Sequence, residues 1–168
     1  MRGYLPWIAA ALVVIADRIT KSVLMARIEP GGWYEVMPGL AFTHVHNRGI
    51  AFSLFAEGGS LTRVFLHLLI FTSVVIIAAM VVRHGHHSRL AGIAFGLILG
   101  GAVGNLIDRV IYGWVIDFIH VWARFGGRSL SWPDFNVADA SISVGAVFLI
   151  INEFRGHRLD ADDAPDPD

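Results

Sequence analysis

Four runs of the chain, residues 5–26, 64–82, 90–107 and 137–154, are apolar at most of their positions. A hydrocarbon core about 30 Å thick takes around 20 helical residues to cross, and a backbone inside it must satisfy its own hydrogen bonds. Runs of this length and character therefore predict four membrane-spanning helices. The composition agrees. Hydrophobic residues make up 55% of the 168 positions against 16% charged, with a mean hydropathy of +0.59, where a soluble domain carries about 45–50% apolar residues. The first run also resembles a signal peptide, because its uninterrupted apolar core is residues 5–16 alone. Asp17, Arg18 and Lys21 then follow where small cleavage-site residues would stand, which favours the span.

Four spans leave both termini on one side. Basic residues are balanced between the sides, with Arg2, Arg83, Arg89, Arg155 and Arg158 against Arg27, Arg48, Arg63, Arg109, Arg124 and Arg128. The short loop RHGHHSR favours placing the termini in the cytoplasm. Net charge is −1 without a basic stripe, which gives no reason to expect nucleic acid as a partner. With no cysteine, disulfides, thiolate nucleophiles and zinc thiolate sites are excluded. A single domain over residues 1–158 and a disordered acidic tail over 159–168 are expected.

Two segments between the spans are patterned. LAFTHVH and IAFSLF are β-prone runs on either side of NRG, read as a small surface hairpin. HVWARFGGRSLSWPDF mixes Trp and Phe with Arg, as suits a segment at the headgroup level.

The informative residues are polar ones in apolar company. Asn105, Asp108, Arg109, Asp117, Asn136 and Asp139 all fall near one membrane boundary, and Asn47 and Gly49 lie in the hairpin. Asp17 and Lys21 share a helical face at i and i+4, an arrangement that neutralises two expensive charges. Asn136 with Asp139 fits a helix cap followed by an acid in the first turn. Asp108 and Arg109 fit a boundary ion pair with Arg109 reaching for water. Gly96, Gly100 and Gly104 fit close helix packing. His44 and His46, with His84, His86 and His87, raise metal binding, but no third ligand stands at a matching spacing and a solvated loop is the simpler account. Asp117 in GWVIDFIH fits none of these ordinary roles. A second carboxylate at its depth, Asp139, offers another: two close carboxyl groups share one proton and titrate as a unit, as in aspartic proteases.

The ordered set DRITK, NRGIAF, GNLIDR, VIDF and FNVAD resembles the bacterial lipoprotein signal peptidases, the signal peptidase II family. The likeness covers nearly the whole chain outside the acidic tail and the long insert before FNVAD. It implies an all-α polytopic membrane fold of four transmembrane helices, a small extracytoplasmic β-sheet cradling the substrate, and a membrane-surface segment. It implies an aspartic endopeptidase of the bacterial inner membrane, cleaving prolipoproteins before a diacylglyceryl-modified cysteine near the periplasmic face. The family's catalytic acids fall on Asp117 and Asp139. Its supporting residues fall on Asp17, Lys21, Asn47, Gly49, Asn105, Asp108, Arg109 and Asn136. No metal or cofactor is implied, and the partners are the lipidated substrate and membrane lipid around a monomer. Two other classes compete: a small proton or ion carrier, for which intramembrane acids are equally natural, and a non-catalytic assembly subunit. Neither accounts for two further acids outside a visible ion pair.

Overall fold

The computed structural model describes residues 2–49, 60–85 and 88–162. After a short 3-10 turn come helix α1 (Leu5–Met25), strands β1 (Trp33–Met37) and β2 (Leu40–Asn47), helices α2 (Ser60–His84) and α3 (Arg89–Tyr112), strands β3 (Val115–Phe125) and β4 (Arg128–Ser131), and helix α4 (Val137–Asp162).

Each expected span is a helix. Among the described residues, α3 and the Val137–Arg155 part of α4 are long and apolar enough to cross a membrane, while the apolar stretch of α2 is Leu68–His84. Helix α1 has 21 residues, enough to cross, but carries Asp17, Arg18 and Lys21. Helix α3 ends five residues later than its hydropathy suggests, so Asp108 and Arg109 stand on its last turns and not beyond it. Its ends are set locally. Ser88 Oγ accepts the Ala91 N–H at 2.9 Å, and Gly113 closes the helix at φ 81°, a left-handed conformation that glycine adopts without Cβ strain. Helix α4 runs on to Asp162, into the acidic stretch expected to be disordered. Residues 163–168 lie outside the described residues.

Helix α3 is central and packs on α4, α1 and α2. A Cβ on Gly96 would stand 2.4 Å from Pro6 O, one on Gly100 2.7 Å from Ala10 O, and one on Gly104 2.9 Å from Asp17 Oδ2. Those three glycines are the contact line with α1, as their spacing predicts. Gly101, on the next face, does the same for α4, with Ala138 O 2.4 Å from a would-be Cβ. Ala10, Val81, Ala91, Phe95 and Leu99 fill the space between the helices.

The distribution of side chains inverts that of a water-soluble bundle. Leu12, Ile15, Ile19, Leu68, Val147 and Ile150 face outward, while Asp17, Lys21 and Asp108 are fully buried. An exterior this apolar over an interior holding charges is what a lipid solvent selects.

The strands form one antiparallel sheet in the order β1-β2-β3-β4. The first arm of the expected hairpin belongs to this sheet. LAFTHVH is a strand, but it pairs with Trp33–Met37 and with Val115–Phe125, and the proposed second arm, residues 50–55, lies outside the described residues. The stretch read as a headgroup-level segment is the end of β3 and its turn into β4. Leu24, Ile116 and Phe118 pack together beneath the sheet, with Ile28 and Val137 beside them, seating it on the α1 and α4 ends.

Candidate active site

At the end of the bundle where α3 finishes and α4 starts, the buried polar residues divide into two groups. The first is made of charges. Lys21 Nζ lies 2.7 Å from Asp17 Oδ2 and 2.7 Å from Asp108 Oδ2, all three side chains being fully buried. Arg18 donates to the other oxygen of Asp108, and the Ile116 N–H to Oδ2 at 3.2 Å. The i,i+4 pair expected within α1 is therefore present, and it extends to α3. Asp108 finds its cations on α1, not in its sequence neighbour. Arg109 is buried, not directed to water, and donates to Gly49 O at 2.7 Å and to Asn105 O at 3.4 Å. A helix places residues i and i+1 about 100° apart, so two adjacent residues on α3 face different neighbours.

The second group holds carboxylates with amides. Strand pairing sets Val45 opposite Asp117 and Asn47 opposite Val115, which puts Asn47 and Asp117 on one face as diagonal neighbours. Asn47 Nδ2 donates to Asp117 Oδ2 at 2.9 Å, and Asn136 Nδ2 donates to Asp117 Oδ1 at 2.7 Å. Asn136 is also the cap of α4. Its Oδ1 accepts the Asp139 N–H at 2.9 Å while its own N–H donates to Asp139 Oδ2 at 3.2 Å, a reciprocal capping arrangement. Asp139 Oδ1 accepts from Asn105 Nδ2 at 2.8 Å. The capping role expected of Asn136 thus coexists with a bridging one, and both acids have one oxygen or more on an asparagine.

Asn105 joins the groups, since its Oδ1 also accepts from Lys21 Nζ at 3.3 Å. Asp17 Oδ1 accepts the Ala138 N–H at 3.1 Å, tying α1 to the first turn of α4. Gly49 donates its N–H to Asn47 Oδ1 at 3.0 Å, which fixes that amide with its nitrogen toward Asp117. All ten residues singled out in the sequence are gathered here.

Asp117 is 2% exposed. Burial first, and the charge of Asp139 second, push its pKa up to about 7 against the opposing pull of the Asn47 and Asn136 amides. A carboxyl group in that range exchanges a proton near neutrality. Asp117 and Asp139 share a cleft of about 380 Å³ with Asn47, Asn105, Arg109 and Trp132.

Several lining residues were not anticipated. Trp132, Asp134 and Phe135 come from the segment before α4, and Ile142 and Ser143 from α4 itself. An i+3/i+4 count from Asp139 along α4 finds the last two. His44 and His46 are engaged otherwise than by metal. His44 Nδ1 meets Ile28 O at 2.7 Å, its Nε2 meets His46 Nε2 at 3.2 Å, and His46 stacks on Trp114 at 4.7 Å. Among the described residues no cluster of three possible ligands occurs, and His86 and His87 lie outside them.

The chain resembles known proteins over most of its length. The family model described as signal peptidase (SPase) II matches residues 9–155. A lipoprotein signal peptidase of Burkholderia thailandensis is 41% identical over 151 residues, 89% of this chain and 88% of the relative. One of Paraburkholderia phytofirmans is 41% identical over 156 residues, 89% and 85% of the two chains. Two solved bacterial membrane enzymes share the fold. One has a TM-score of 0.77 at 27% identity over 97% of this chain and 93% of its own. The other has 0.73 at 30% over 88% and 90%. A match spanning both helical pairs and the sheet, in family model and in fold alike, places the chain in the signal peptidase II family of membrane peptidases.

Proposed function

We propose that this peptidase is an aspartic endopeptidase that removes signal peptides from prolipoproteins, cutting before a diacylglyceryl-modified cysteine, with Asp117 and Asp139 as its catalytic acids. The observation that carries the reading is the pairing of two acids in one cleft, each held by asparagine amides, with Asn136 spanning both. Amide donors orient a carboxylate without cancelling its charge, whereas a lysine or arginine partner would hold it ionised.

In the proposed reaction the proton of the pair resides on Asp117 and the charge on Asp139. Asp139 takes a proton from a water molecule, whose oxygen attacks the scissile carbonyl carbon, while Asp117 gives its proton to the carbonyl oxygen. The resulting diol then collapses. The carbon–nitrogen bond breaks, the amine nitrogen receives the proton held by Asp139, and a diol hydroxyl returns one to Asp117. Asn47, Asn105 and Asn136 hold the two acids, and Arg109 fixes the Gly49 backbone at the cleft edge. The Asp17, Lys21 and Asp108 cluster supports the walls.

We further read all four helices as spans. The three charges of α1 are answered inside the bundle, and the apolar exterior continues around it. Both termini then lie in the cytoplasm, with the sheet and the cleft at the periplasmic face of the inner membrane. A helical signal peptide stays in lipid there while water reaches the cut site. The clustering of polar groups at one end of the helices favours hydrolysis over an ion-carrier role, which needs a relay through the bilayer.

The test uses purified protein in detergent with a diacylglyceryl-modified prolipoprotein. Wild type is expected to cleave, and Asp117→Asn and Asp139→Asn to be inert yet folded. Full cleavage by either variant ends the dyad reading, and an inert wild type ends the peptidase reading.

A further inference from the structure

The two acids of the cleft are carried on different elements, Asp117 on β3 and Asp139 on α4. Their separation depends on how β3 is attached to the segment that leads into α4. Beyond the β3–β4 ladder, four attachments join residues 117–121 to residues 132–136. The innermost is the Asn136 amide on Asp117. Next comes a backbone bridge: Phe135 O accepts from the N–H groups of Phe118 and Ile119, and Phe135 N donates to Ile119 O at 3.1 Å. Then comes a side-chain pair, His120 Nδ1 to Asp134 Oδ1 at 2.5 Å, and outermost the Trp132 N–H donates to Val121 O at 2.9 Å. A carboxylate only accepts, so Nδ1 carries the hydrogen. Both side chains are mostly buried, at 17% and 20% exposed. The imidazole also packs against Trp33 at 4.8 Å and Trp122 at 5.6 Å, with the two indoles 5.3 Å from each other.

We infer that His120 and Asp134 form a positioning pair for the reaction, holding the segment before α4 against β3 so that Asp139 keeps its distance and angle to Asp117. The inference rests on the dyad reading above. Residues 126–135 run from a two-glycine turn at Gly126 and Gly127 through a stretch without regular structure after Ser131. Backbone bonds at Trp132 and Phe135 hold its two ends, and the residues between them keep freedom that those bonds do not remove. The His120–Asp134 bond fastens the middle of that stretch. Asp134 also lines the cleft, so its placement shapes the wall that a substrate meets.

Deleting the bond while keeping the ring packing separates positioning from folding. His120→Phe retains an aromatic ring against Trp33 and Trp122 but has no donor. His120→Asn restores an amide N–H at the place of Nδ1. With the lipidated prolipoprotein as substrate, His120→Phe is expected to lower kcat about tenfold with KM changed less than about twofold, the signature of misaligned reacting groups. His120→Asn is expected to recover kcat to within about threefold of wild type, since the aligning hydrogen bond is back.

A second readout is the pH profile. The charged groups around Asp117 are Asp139 from α4, with Lys21 from α1 and Arg109 from α3. His120 faces Asp134 and the two indole rings. Loosening the segment weakens the push of Asp139 and admits water, so the alkaline limb of kcat in His120→Phe should move to lower pH.

The inference is overturned if His120→Phe keeps wild-type kcat and an unmoved limb, or if His120→Asn is no better than His120→Phe. If His120→Phe does not fold, Asp134→Leu becomes the deletion arm, set against Asp134→Asn, which keeps an acceptor oxygen; equal kcat in those two also overturns it. Inert Asp117→Asn and Asp139→Asn beside an unimpaired His120→Phe defeat the positioning claim alone. Active Asp117→Asn or Asp139→Asn defeats the dyad on which it rests.

Discussion

Two groups of buried carboxylates lie side by side and are treated in opposite ways. Asp17 and Asp108 are answered by cations, with Lys21 between them and Arg18 beyond. Asp117 and Asp139 are answered by asparagines. Ion pairs hold an acid in one protonation state, whereas amide donors hold its position and leave the proton free to move. On the proposed reading, the same residue type serves as a strut in one group and as a reagent in the other, according to what stands opposite.

The comparison breaks most visibly at the acids themselves. Asp117→Asn and Asp139→Asn should each cost at least on the order of a thousandfold in kcat, with little change in the thermal unfolding of the detergent-solubilised protein. A variant that unfolds instead would move that acid into the structural group. Lys21→Met should do the reverse. It leaves Asp17 and Asp108 buried without their shared cation, and breaking such a cluster from one side costs about 3–5 kcal/mol. Adding Asp17→Asn and Asp108→Asn to Lys21→Met should recover part of that loss, as read by thermal unfolding, because the stranded charges are gone.

A subtler separation comes from pH. Asp117 is raised from 3.8 to about 7, so its folded state holds a proton that the unfolded chain releases. That contribution to stability is fully present below about pH 4 and is lost as pH rises through about 7, a matter of a few kcal/mol. Asp117→Asn should flatten this part of the stability profile. Cleavage, needing one proton on the pair, should fall on the alkaline side with a limb near pH 7. In inert Asp139→Asn the Asp117 transition, read from the pH profile of thermal unfolding, should move to lower pH, and an unmoved transition would detach Asp117 from its partner. The smallest effect is expected of Asn47→Ala. Removing a donor that favours the charged carboxylate should raise the Asp117 pKa and move the limb upward. The lost bond to a charged group amounts to about 1.5–3 kcal/mol before water replaces it.

The sequence displayed the helices and the acids better than their partners. Hydropathy marks α1 to α4 because lipid demands long apolar runs, and an isolated acid such as Asp117 stands out in them. Partner choice depends on helix rotation, which a linear reading does not contain. Asp108 beside Arg109 looks like a pair on paper, yet their directions on α3 differ and Lys21 of α1 lies in one of them. The sheet was harder still. WYEVM meets LAFTHVH across the short turn at Pro38 and Gly39, but VIDFIHVWARF finds its place beside LAFTHVH from far along the chain, a long-range pairing that local propensity does not announce. The His120–Asp134 contact depends on that pairing and was invisible for the same reason.

The charge balance of α1 bears on how the protein is made. Taken alone, the helix holds two cations, Arg18 and Lys21, for one acid, Asp17, and the missing negative charge, Asp108, comes from α3, the third helix to be synthesised. On the proposed reading of four spans, α1 enters the membrane with an unbalanced charge, since helices insert first and associate afterwards, and it remains a poor resident of lipid until α3 arrives. Docking of α3 is then more than packing along a glycine stripe. On that reading it is the step that makes the first helix electrically neutral.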